Sequence, residues 1–204
     1  MRGVSSLKYG LCLVWLFAVG AGIAMILNYQ NTPGPSGATP EHWPAGTPIA
    51  LDGSHDTLVM FAHPKCPCTR ASVEELNRLL ALCHGRVTTH VFFFKPSQGP
   101  GDWTQTDLRQ SVAAIPGVAV HDDPDARMAR QFGADTSGYV VLYNAQGQLL
   151  YHGGITGSRG HAGDNAGEAA IAAMITGENP GLKEAPVFGC SLGDKFCSQK
   201  VAVK

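Results

Sequence analysis

Residues 61–72, FAHPKCPCTRAS, contain two cysteines, Cys66 and Cys68, that are separated by a single proline and follow an apolar run. The run 58–62 predicts a short buried strand, and a helical pattern begins at about Cys68. Apolar side chains recur along one face of that helix: Val73, Leu76, Leu80 and Cys83. Gly85 then predicts the end of the helix. Cys66 and Cys68 are therefore expected where a buried strand passes into the N-terminus of a helix.

This position favours thiol chemistry. A helix N-terminus presents unpaired N–H groups and the positive end of the helix dipole, which lower the pKa of a nearby thiol. Thiol–disulfide exchange needs such a thiolate and a second thiol that resolves the mixed disulfide. Cys66 and Cys68 are close enough to form a small-ring disulfide, which is expected to be strained and readily reduced. The alternative is a structural disulfide or two inert thiols, although a cross-link over so short a loop stabilises a fold little.

Strand and helix patterns alternate along the rest of the chain. Residues 87–94 and 118–121 are predicted to be strands, and residues 139–143 and 148–152 a β-hairpin. Helices are predicted from Asp102 to about Ala114, between Pro124 and Gly133, and from Asn165, which forms a capping box with Glu168, to about Thr176. Alternating strands and helices imply parallel pairing, and the hairpin adds an antiparallel edge. The chain is therefore predicted to form an α/β sandwich with a mixed sheet.

Three stretches resemble the thioredoxin-like superfamily. They are VMFAHPKCPCTRASVEEL (59–76), VAVHDDPDARMARQFGADTSG (118–138) and YVVLYNAQGQLLYHGG (139–154). The resemblance covers about residues 57–178 and implies a thioredoxin-like sandwich, a central mixed sheet flanked by helices, that exchanges electrons with protein thiols or disulfides. The CPC motif, the Thr-Ser-Gly sequence and the run GSRGHAGDN (157–165) also resemble a bacterial group labelled RedB.

Two positions depart from the usual pattern of the superfamily. Its motif has two residues between the cysteines, and a count from the preceding strand aligns Cys68 with the second cysteine and Lys65 with the first. By analogy with other exchange pairs, Cys66 is predicted to be the exposed nucleophile and Cys68 the resolving thiol. If Cys68 reacts faster, Cys190 becomes the expected resolver. The cis-proline of the superfamily falls at Gly138, so the backbone contact that this proline gives a bound partner is expected to differ.

The first 30 residues predict a membrane anchor. Residues 9–29 are almost wholly apolar and contain no charged side chain. As a helix this segment is about 31 Å long, which matches the hydrocarbon core of a bilayer. Arg2 and Lys8 precede it and nothing positive follows before Lys65, so the positive-inside bias places the N-terminus in the cytoplasm and the rest outside. The alternative is a signal peptide cleaved near residues 22–24, which exports the rest of the chain equally.

The composition divides the chain into four parts: an anchor (1–30), a Pro/Gly-rich linker (31–50), a thioredoxin-like domain (51–178) and a C-terminal tail (179–204). This order predicts a single-pass protein of the cytoplasmic membrane whose domain lies in the periplasm or its equivalent, held off the membrane by the linker. The predicted partners are protein thiols or disulfides and, through residues 9–29, the lipid bilayer. A net charge of −1 and the lack of a basic aromatic cluster argue against nucleic-acid binding.

Residues 153–165, GGITGSRGHAGDN, predict a long glycine-rich loop after the hairpin. Long loops in compact domains are often functional. In thioredoxin-like folds, the turn between the last strand and the last helix lies beside the cysteine pair. We therefore predict that the loop forms a wall of the active site, with Arg159 and His161 facing the thiols. His161 is predicted to carry a proton to or from a leaving thiolate, because imidazole titrates near neutral pH. The alternative is a solvated loop.

Copper binding is a second candidate chemistry. Thiolate and imidazole are ligands for Cu(I), and His63, Cys66 and Cys68 supply three of them within six residues. Copper-delivery proteins of this fold space their cysteines more widely. Apart from copper, no cofactor is predicted. A peroxidase is less well supported, because peroxiredoxins place a threonine three residues before the attacking cysteine, where this chain has His63 or Lys65. A thioredoxin-like binding protein without catalytic chemistry is the third candidate.

The remaining cysteines have simpler interpretations. Cys12 lies in the anchor, and Cys83 lies on the core face of its helix, where cysteine behaves as a small hydrophobic residue. In an oxidising compartment, Cys190 and Cys197 are predicted to form a disulfide in the tail. In the alternative interpretation, Cys190 resolves a bond to one of the two CPC thiols.

Overall fold

The chain forms two units, of which the computed structural model describes residues 3–83 and 85–193. The first unit, Met1–Thr32, contains the helix α1, Gly3–Asn31. Its segment Lys8–Asn31 has a mean hydropathy of 2.4 and is long and apolar enough to cross a membrane. An N-terminal signal sequence can also meet this criterion of length and hydropathy, so the helix is compatible with both a retained anchor and a cleaved leader.

The second unit is built on a six-stranded mixed sheet. Its strands are β1 Asp56–Ala62, β2 Val87–Lys95, β3 Val118–Pro124, β4 Tyr139–Tyr143, β5 Leu149–Gly153 and β6 Glu184–Ala185. They lie in the order β3-β2-β1-β4-β5-β6. The first three strands are parallel to one another, whereas β4 runs antiparallel to both β1 and β5. β6 was not predicted; it pairs in parallel with β5 and takes the edge position that was expected for the hairpin.

Four further helices surround the sheet. They are α2 Thr69–Cys83, α3 Asp107–Ala113, α4 Arg127–Gln131 and α5 Ala166–Thr176. Buried residues of α2, α3 and α5 belong to one core cluster, and those of α4 belong to another. Helices alternate with the parallel strands and the antiparallel hairpin follows them, which is the order that the resemblance implied. The predicted fold class, a thioredoxin-like sandwich with a mixed sheet, is confirmed.

β1 separates the two core clusters because its side chains alternate in direction. Leu58 and Met60 pack in the cluster that contains α2, α3 and α5, and Val59 and Phe61 pack in the cluster that contains α4. All four are at most 1% exposed. A slip of one residue would exchange the two faces, so burial on both sides fixes the register of β1 and the position of the turn that follows it.

The helix caps agree with the sequence at one helix and differ at another. Asn165 caps α5, because its side chain accepts the Glu168 N–H at 2.9 Å. α3 was expected to begin at Asp102, but it is capped by Thr106, whose hydroxyl accepts the Arg109 N–H at 3.3 Å. Both residue types are good caps, so composition alone does not select the one that is used.

Residues 33–48 are part of the second unit and pack against the rest of it, so they do not form the free spacer that was expected. The Tyr143 hydroxyl donates to the Pro40 carbonyl oxygen at 2.7 Å. The Trp43 ring packs edge-on against the Tyr143 ring, with 5.3 Å between centroids. Proline-rich segments have open carbonyl acceptors, and here buried side chains use them. The compact unit therefore starts at Pro33, upstream of the predicted boundary, and it includes the described part of the tail.

Candidate active site

Cys66 lies in the turn that joins β1 to α2. Its N–H donates to the His63 carbonyl oxygen at 3.1 Å, and its own carbonyl oxygen accepts the Thr69 N–H at 3.2 Å. These bonds hold Cys66 at the N-terminus of α2. Cys66 is only 3% exposed, whereas Cys68 is half-buried. The expectation that Cys66 is the more exposed thiol is therefore wrong, because Cys190 packs against it.

Cys190 reaches Cys66 from the far end of the chain. The two sulfur atoms are 2.8 Å apart. A hydrogen bond of 2.7 Å from the Ser137 N–H to the Cys190 carbonyl oxygen holds the C-terminal segment at this point. Cys197, the predicted disulfide partner of Cys190, lies outside the described residues. Because Cys68 also interacts with Cys66, three thiols share one site.

The surroundings of Cys66 stabilise its thiolate. The hydrogen bond from the Cys190 thiol has the largest influence, and hydrogen bonds from the Thr69 hydroxyl and from the Cys190 and Thr69 amides add to it. They outweigh the opposing effect of burial and lower the pKa of Cys66 to about 5. The same hydrogen bond, with burial and the charge of Cys66, raises the pKa of Cys190. Cys66 is therefore the ionised thiol at neutral pH, and Cys190 is the donor.

Two hydroxyl groups connect Cys66 to the loop before β4, and the sequence analysis missed both. The His63 N–H donates to Ser137 Oγ at 2.7 Å, so the Ser137 hydroxyl can donate to Thr69 Oγ1, which is 2.6 Å away. The Thr69 hydroxyl in turn donates to the Cys66 sulfur. Thr69 follows Cys66 by three residues, and a hydroxyl in the first helical turn is a signal that could have been used. Ser137 has no such local signal.

Gly138 occupies the position at which the resemblance implied a cis-proline. Its N–H donates to the Phe61 carbonyl oxygen at 2.8 Å, a bond that proline cannot make. Its φ is +92°, and a Cβ atom here would lie 2.8 Å from Ser72 Oγ. Within residues 3–83 and 85–193, no peptide bond is cis. The left-handed backbone and the close approach of α2 both favour glycine at this position.

The structure places Arg159 beside the thiols. Its guanidinium donates to the Gly189 carbonyl oxygen, next to Cys190. Burial, which has the largest influence, and the charge of Cys66 raise the pKa of Cys68, while the positive charge of Arg159 acts in the opposite direction. Arg159 has the same effect on Cys190. A cation at this position favours whichever thiol becomes negatively charged during exchange.

His161 is exposed to solvent. Its Nδ1 lies 2.9 Å from the carbonyl oxygen of Arg159, to which it donates. This bond fixes the tautomer, because the proton must be on Nδ1 and leaves Nε2 as the proton acceptor. The role of His161 in proton transfer stays a prediction.

The loop 153–165 is fastened to α2 through Glu75, whose side chain is fully buried. Its carboxyl group accepts the Gly163 N–H at 2.7 Å and the Asn165 amide at 3.3 Å, and it pairs with Arg78. Burial, followed by a hydrogen bond with Glu75, raises the pKa of Glu168 to about 7. The loop that carries Arg159 is therefore fastened to α2 through the buried Glu75 carboxyl group, while residues 160–162 at its tip are exposed to solvent.

His63 is buried in the wall of the site. Its ring stacks on Phe94 with 5.4 Å between centroids, and its Nδ1 accepts the Lys65 N–H at 3.1 Å. Burial is the main effect that lowers the pKa of His63. Among the residues that the structure describes, no group of three or more His, Cys, Asp or Glu side chains is placed to hold a metal ion. Copper binding by His63, Cys66 and Cys68 stays a prediction.

The chain was compared with known proteins. No protein-family model matches it, and no curated protein matches it. Two solved structures share its fold over most of its length. A hypothetical protein from Sinorhizobium meliloti is 21% identical, with a TM-score of 0.58, over 79% of this chain and 94% of that one. An uncharacterized conserved protein from Geobacillus kaustophilus is 17% identical, with a TM-score of 0.59. The match covers 81% of this chain and 93% of that one.

A third solved structure is a secreted disulfide oxidoreductase from Mycobacterium tuberculosis, described as homologous to E. coli DsbE. It is 16% identical over 67% of this chain and 93% of that one, with a TM-score of 0.45. At these identities the similarity concerns the fold alone. The reaction of this chain must therefore be argued from its own site, and membership of the RedB-like group stays a prediction.

Proposed function

We propose that this chain, which has a thioredoxin-like fold, is a membrane-anchored, extracytoplasmic thiol–disulfide oxidoreductase in which Cys66 of the Cys-Pro-Cys motif attacks. The proposal is carried by the Cys66 thiol, whose pKa is lowered to about 5 by hydrogen bonds from Cys190 and Thr69. Two further thiols, Cys68 and Cys190, interact with it. A low-pKa thiol beside a second thiol is what disulfide exchange requires.

The proposed reaction has two displacement steps. The Cys66 thiolate attacks one sulfur of a partner disulfide, displaces the other sulfur as a thiolate and becomes joined to the partner. A second thiol of the site then loses its proton and attacks the Cys66 sulfur, and the partner leaves as its second thiolate. The partner gains two electrons from this chain. Its two thiolates take up one proton that the resolving thiol released and one from solvent, and this chain gains an internal disulfide. The reverse sequence oxidises a dithiol, and neither direction needs a cofactor.

The proposed location is outside the cytoplasm, with the chain held by residues 9–29. The apolar segment Lys8–Asn31 and the basic residues before it support this orientation. A reporter fused after Lys204 is expected to work only if it is a type that functions outside the cytoplasm. Activity of a reporter that functions only inside the cytoplasm would overturn the proposed location.

The test of the reaction is a redox titration of the full-length protein in detergent. The protein is equilibrated with graded ratios of reduced and oxidised glutathione, quenched with acid and alkylated, and its free thiols are counted by mass. We expect a reversible transition of two thiols per chain that is absent in Cys66→Ser. No reversible transition, with tight Cu(I) binding in a parallel titration that Cys66→Ser and His63→Ala both weaken, would replace this proposal with copper binding.

A further inference from the structure

The C-terminal segment that carries Cys190 is held in place by its backbone. Thr136 and Ser191 form an antiparallel β-bridge. On either side of that bridge, the Ser137 N–H donates to the Cys190 carbonyl oxygen, and the Leu192 N–H donates to the Asp135 carbonyl oxygen, each at 2.7 Å. The segment is therefore paired with the loop before β4 through an isolated β-bridge, and hydrogen bonds at Cys190 and Leu192 hold it in place.

Side chains and close packing reinforce this arrangement. Val187 and Leu192 are buried in the core cluster that contains α4, and Arg159 donates to the Gly189 carbonyl oxygen. A Cβ atom on Gly189 would lie only 1.9 Å from the Ser137 carbonyl oxygen. The backbone at Gly189 therefore lies too close to the loop to leave room for a side chain, and a glycine at this position permits that approach.

We infer that Cys190, and not Cys68, is the resolving thiol of Cys66, so that the oxidised protein carries a disulfide between residues 66 and 190. The inference rests on the proposed thiol–disulfide exchange and identifies the second thiol that this exchange requires. The two sulfur atoms are 2.8 Å apart, and a disulfide bond of about 2.05 Å needs a further approach of less than about 1 Å. A bond between Cys66 and Cys68 would instead have to close a ring over a single proline.

The charges of the site order the two steps. While Cys66 is a thiolate, its hydrogen bond and its charge keep the proton on Cys190. Once Cys66 is joined to a partner it is neutral, so both of these effects disappear. Burial still raises the pKa of Cys190, but the largest opposing effect is gone and the charge of Arg159 favours the Cys190 thiolate. Cys190 then gives up its proton and attacks the Cys66 sulfur, the bond to the partner breaks, and the departing partner thiolate takes up a proton. Cys66 and Cys190 together lose two electrons, which the partner disulfide gains.

The test is to map the disulfide in the full-length protein after equilibration with glutathione. Trypsin releases residues 66–70, which contain both CPC thiols, separately from residues 184–195, which contain Cys190 alone. We expect the wild type to yield these two peptides joined. Cys68→Ser should keep that cross-link, and Cys190→Ser should lower the fraction of Cys66 in an internal disulfide at least about tenfold at the same glutathione ratio.

A second variant displaces the segment without removing any thiol. Gly189→Ala is expected to lower the yield of the 66–190 cross-link roughly tenfold, because the two thiols lose their mutual proximity. Gly101→Ala is the matched control, since a Cβ atom there meets nothing within 4 Å, and it should leave the yield unchanged. Circular dichroism of both variants checks that the fold is retained.

Two results would overturn the inference while leaving the proposed function intact. One is a disulfide inside residues 66–70 of the wild type together with an unchanged titration of Cys190→Ser. The other is a stable cross-link between residues 184–195 and 196–200, which would show that Cys190 is occupied by Cys197. Failure of the proposed function is a different observation, because the wild type itself would then show no reversible transition.

Discussion

Cys66→Ser is expected to lower the rate of thiol–disulfide exchange at least about 1,000-fold at neutral pH. The Cys66 thiol, with a pKa lowered to about 5, is ionised at that pH, whereas a serine hydroxyl is not. Burial, the largest influence, and the charge of Cys66 raise the pKa of Cys68, and the pKa of Cys190 is raised as well, so neither thiol can replace it. The measurement is the rate at which the full-length reduced protein cleaves a fluorogenic peptide disulfide.

The matched control for this variant is Cys83→Ala. Burial, the largest influence, raises the pKa of Cys83 to about 11, so it is protonated at neutral pH, and its side chain lies in the core. The control should keep the wild-type exchange rate even if its stability falls, provided the assay is run below its melting temperature. Exchange by Cys66→Ser at a rate comparable with the wild type would show that another group attacks.

Glu75→Ala is expected to have the largest effect on stability. The substitution removes a fully buried carboxyl group and leaves the Gly163 N–H, the Asn165 amide and Arg78 without this partner. Breaking a buried polar cluster in this way costs about 3 kcal/mol of unfolding free energy. The melting temperature should therefore fall by about 6–12 °C. A suitable pH is about 6, below the pKa of Glu168, where Glu168 is protonated and does not repel Glu75.

Glu74→Ala is the control for this prediction, because it removes the same side chain one residue earlier in α2. Glu74 is exposed, and its loss should change stability by no more than about 0.5 kcal/mol. Equal shifts of the melting temperature in the two variants, measured by circular dichroism, would contradict the anchoring role of Glu75. Because Glu75 holds the loop that carries Arg159, its loss is also expected to slow exchange.

Local patterns in the sequence were sufficient to predict β1–β5 and the helices that flank the sheet, but not β6 or the first residue of α3. β1 is buried on both faces, so it appears in the sequence as an uninterrupted apolar run, and α2 appears as an apolar stripe with the helical period. Asn165 and Glu168 marked the start of α5 for the same reason, since a cap and its partner are three residues apart. These features depend on residues that are close in the chain, so they can be recognised from the spacing of residue types in the sequence.

The arrangement of the site depends on contacts between distant residues, which no local pattern records. Cys190 is separated from Cys66 by 124 positions, and the bonds that bring it there are made by backbone groups, which every residue possesses. For this reason the sequence alone did not decide whether Cys190 forms a tail disulfide with Cys197 or resolves a bond to one of the two CPC thiols. The same reason explains the error about the exposure of Cys66: the segment that covers it follows α5 and has no periodicity of its own.

The central claim is that Cys66 is an ionised thiol because Cys190 and Thr69 donate hydrogen bonds to it. The most direct test is the pH titration of thiolate absorbance at about 240 nm in the full-length reduced protein, with Cys66→Ser as the reference for subtraction. We predict a transition at about pH 5 that is absent in Cys66→Ser and moves to higher pH in Cys190→Ala, which removes the donor to Cys66. A transition of Cys66 above about pH 8, as for an ordinary cysteine, would contradict this claim.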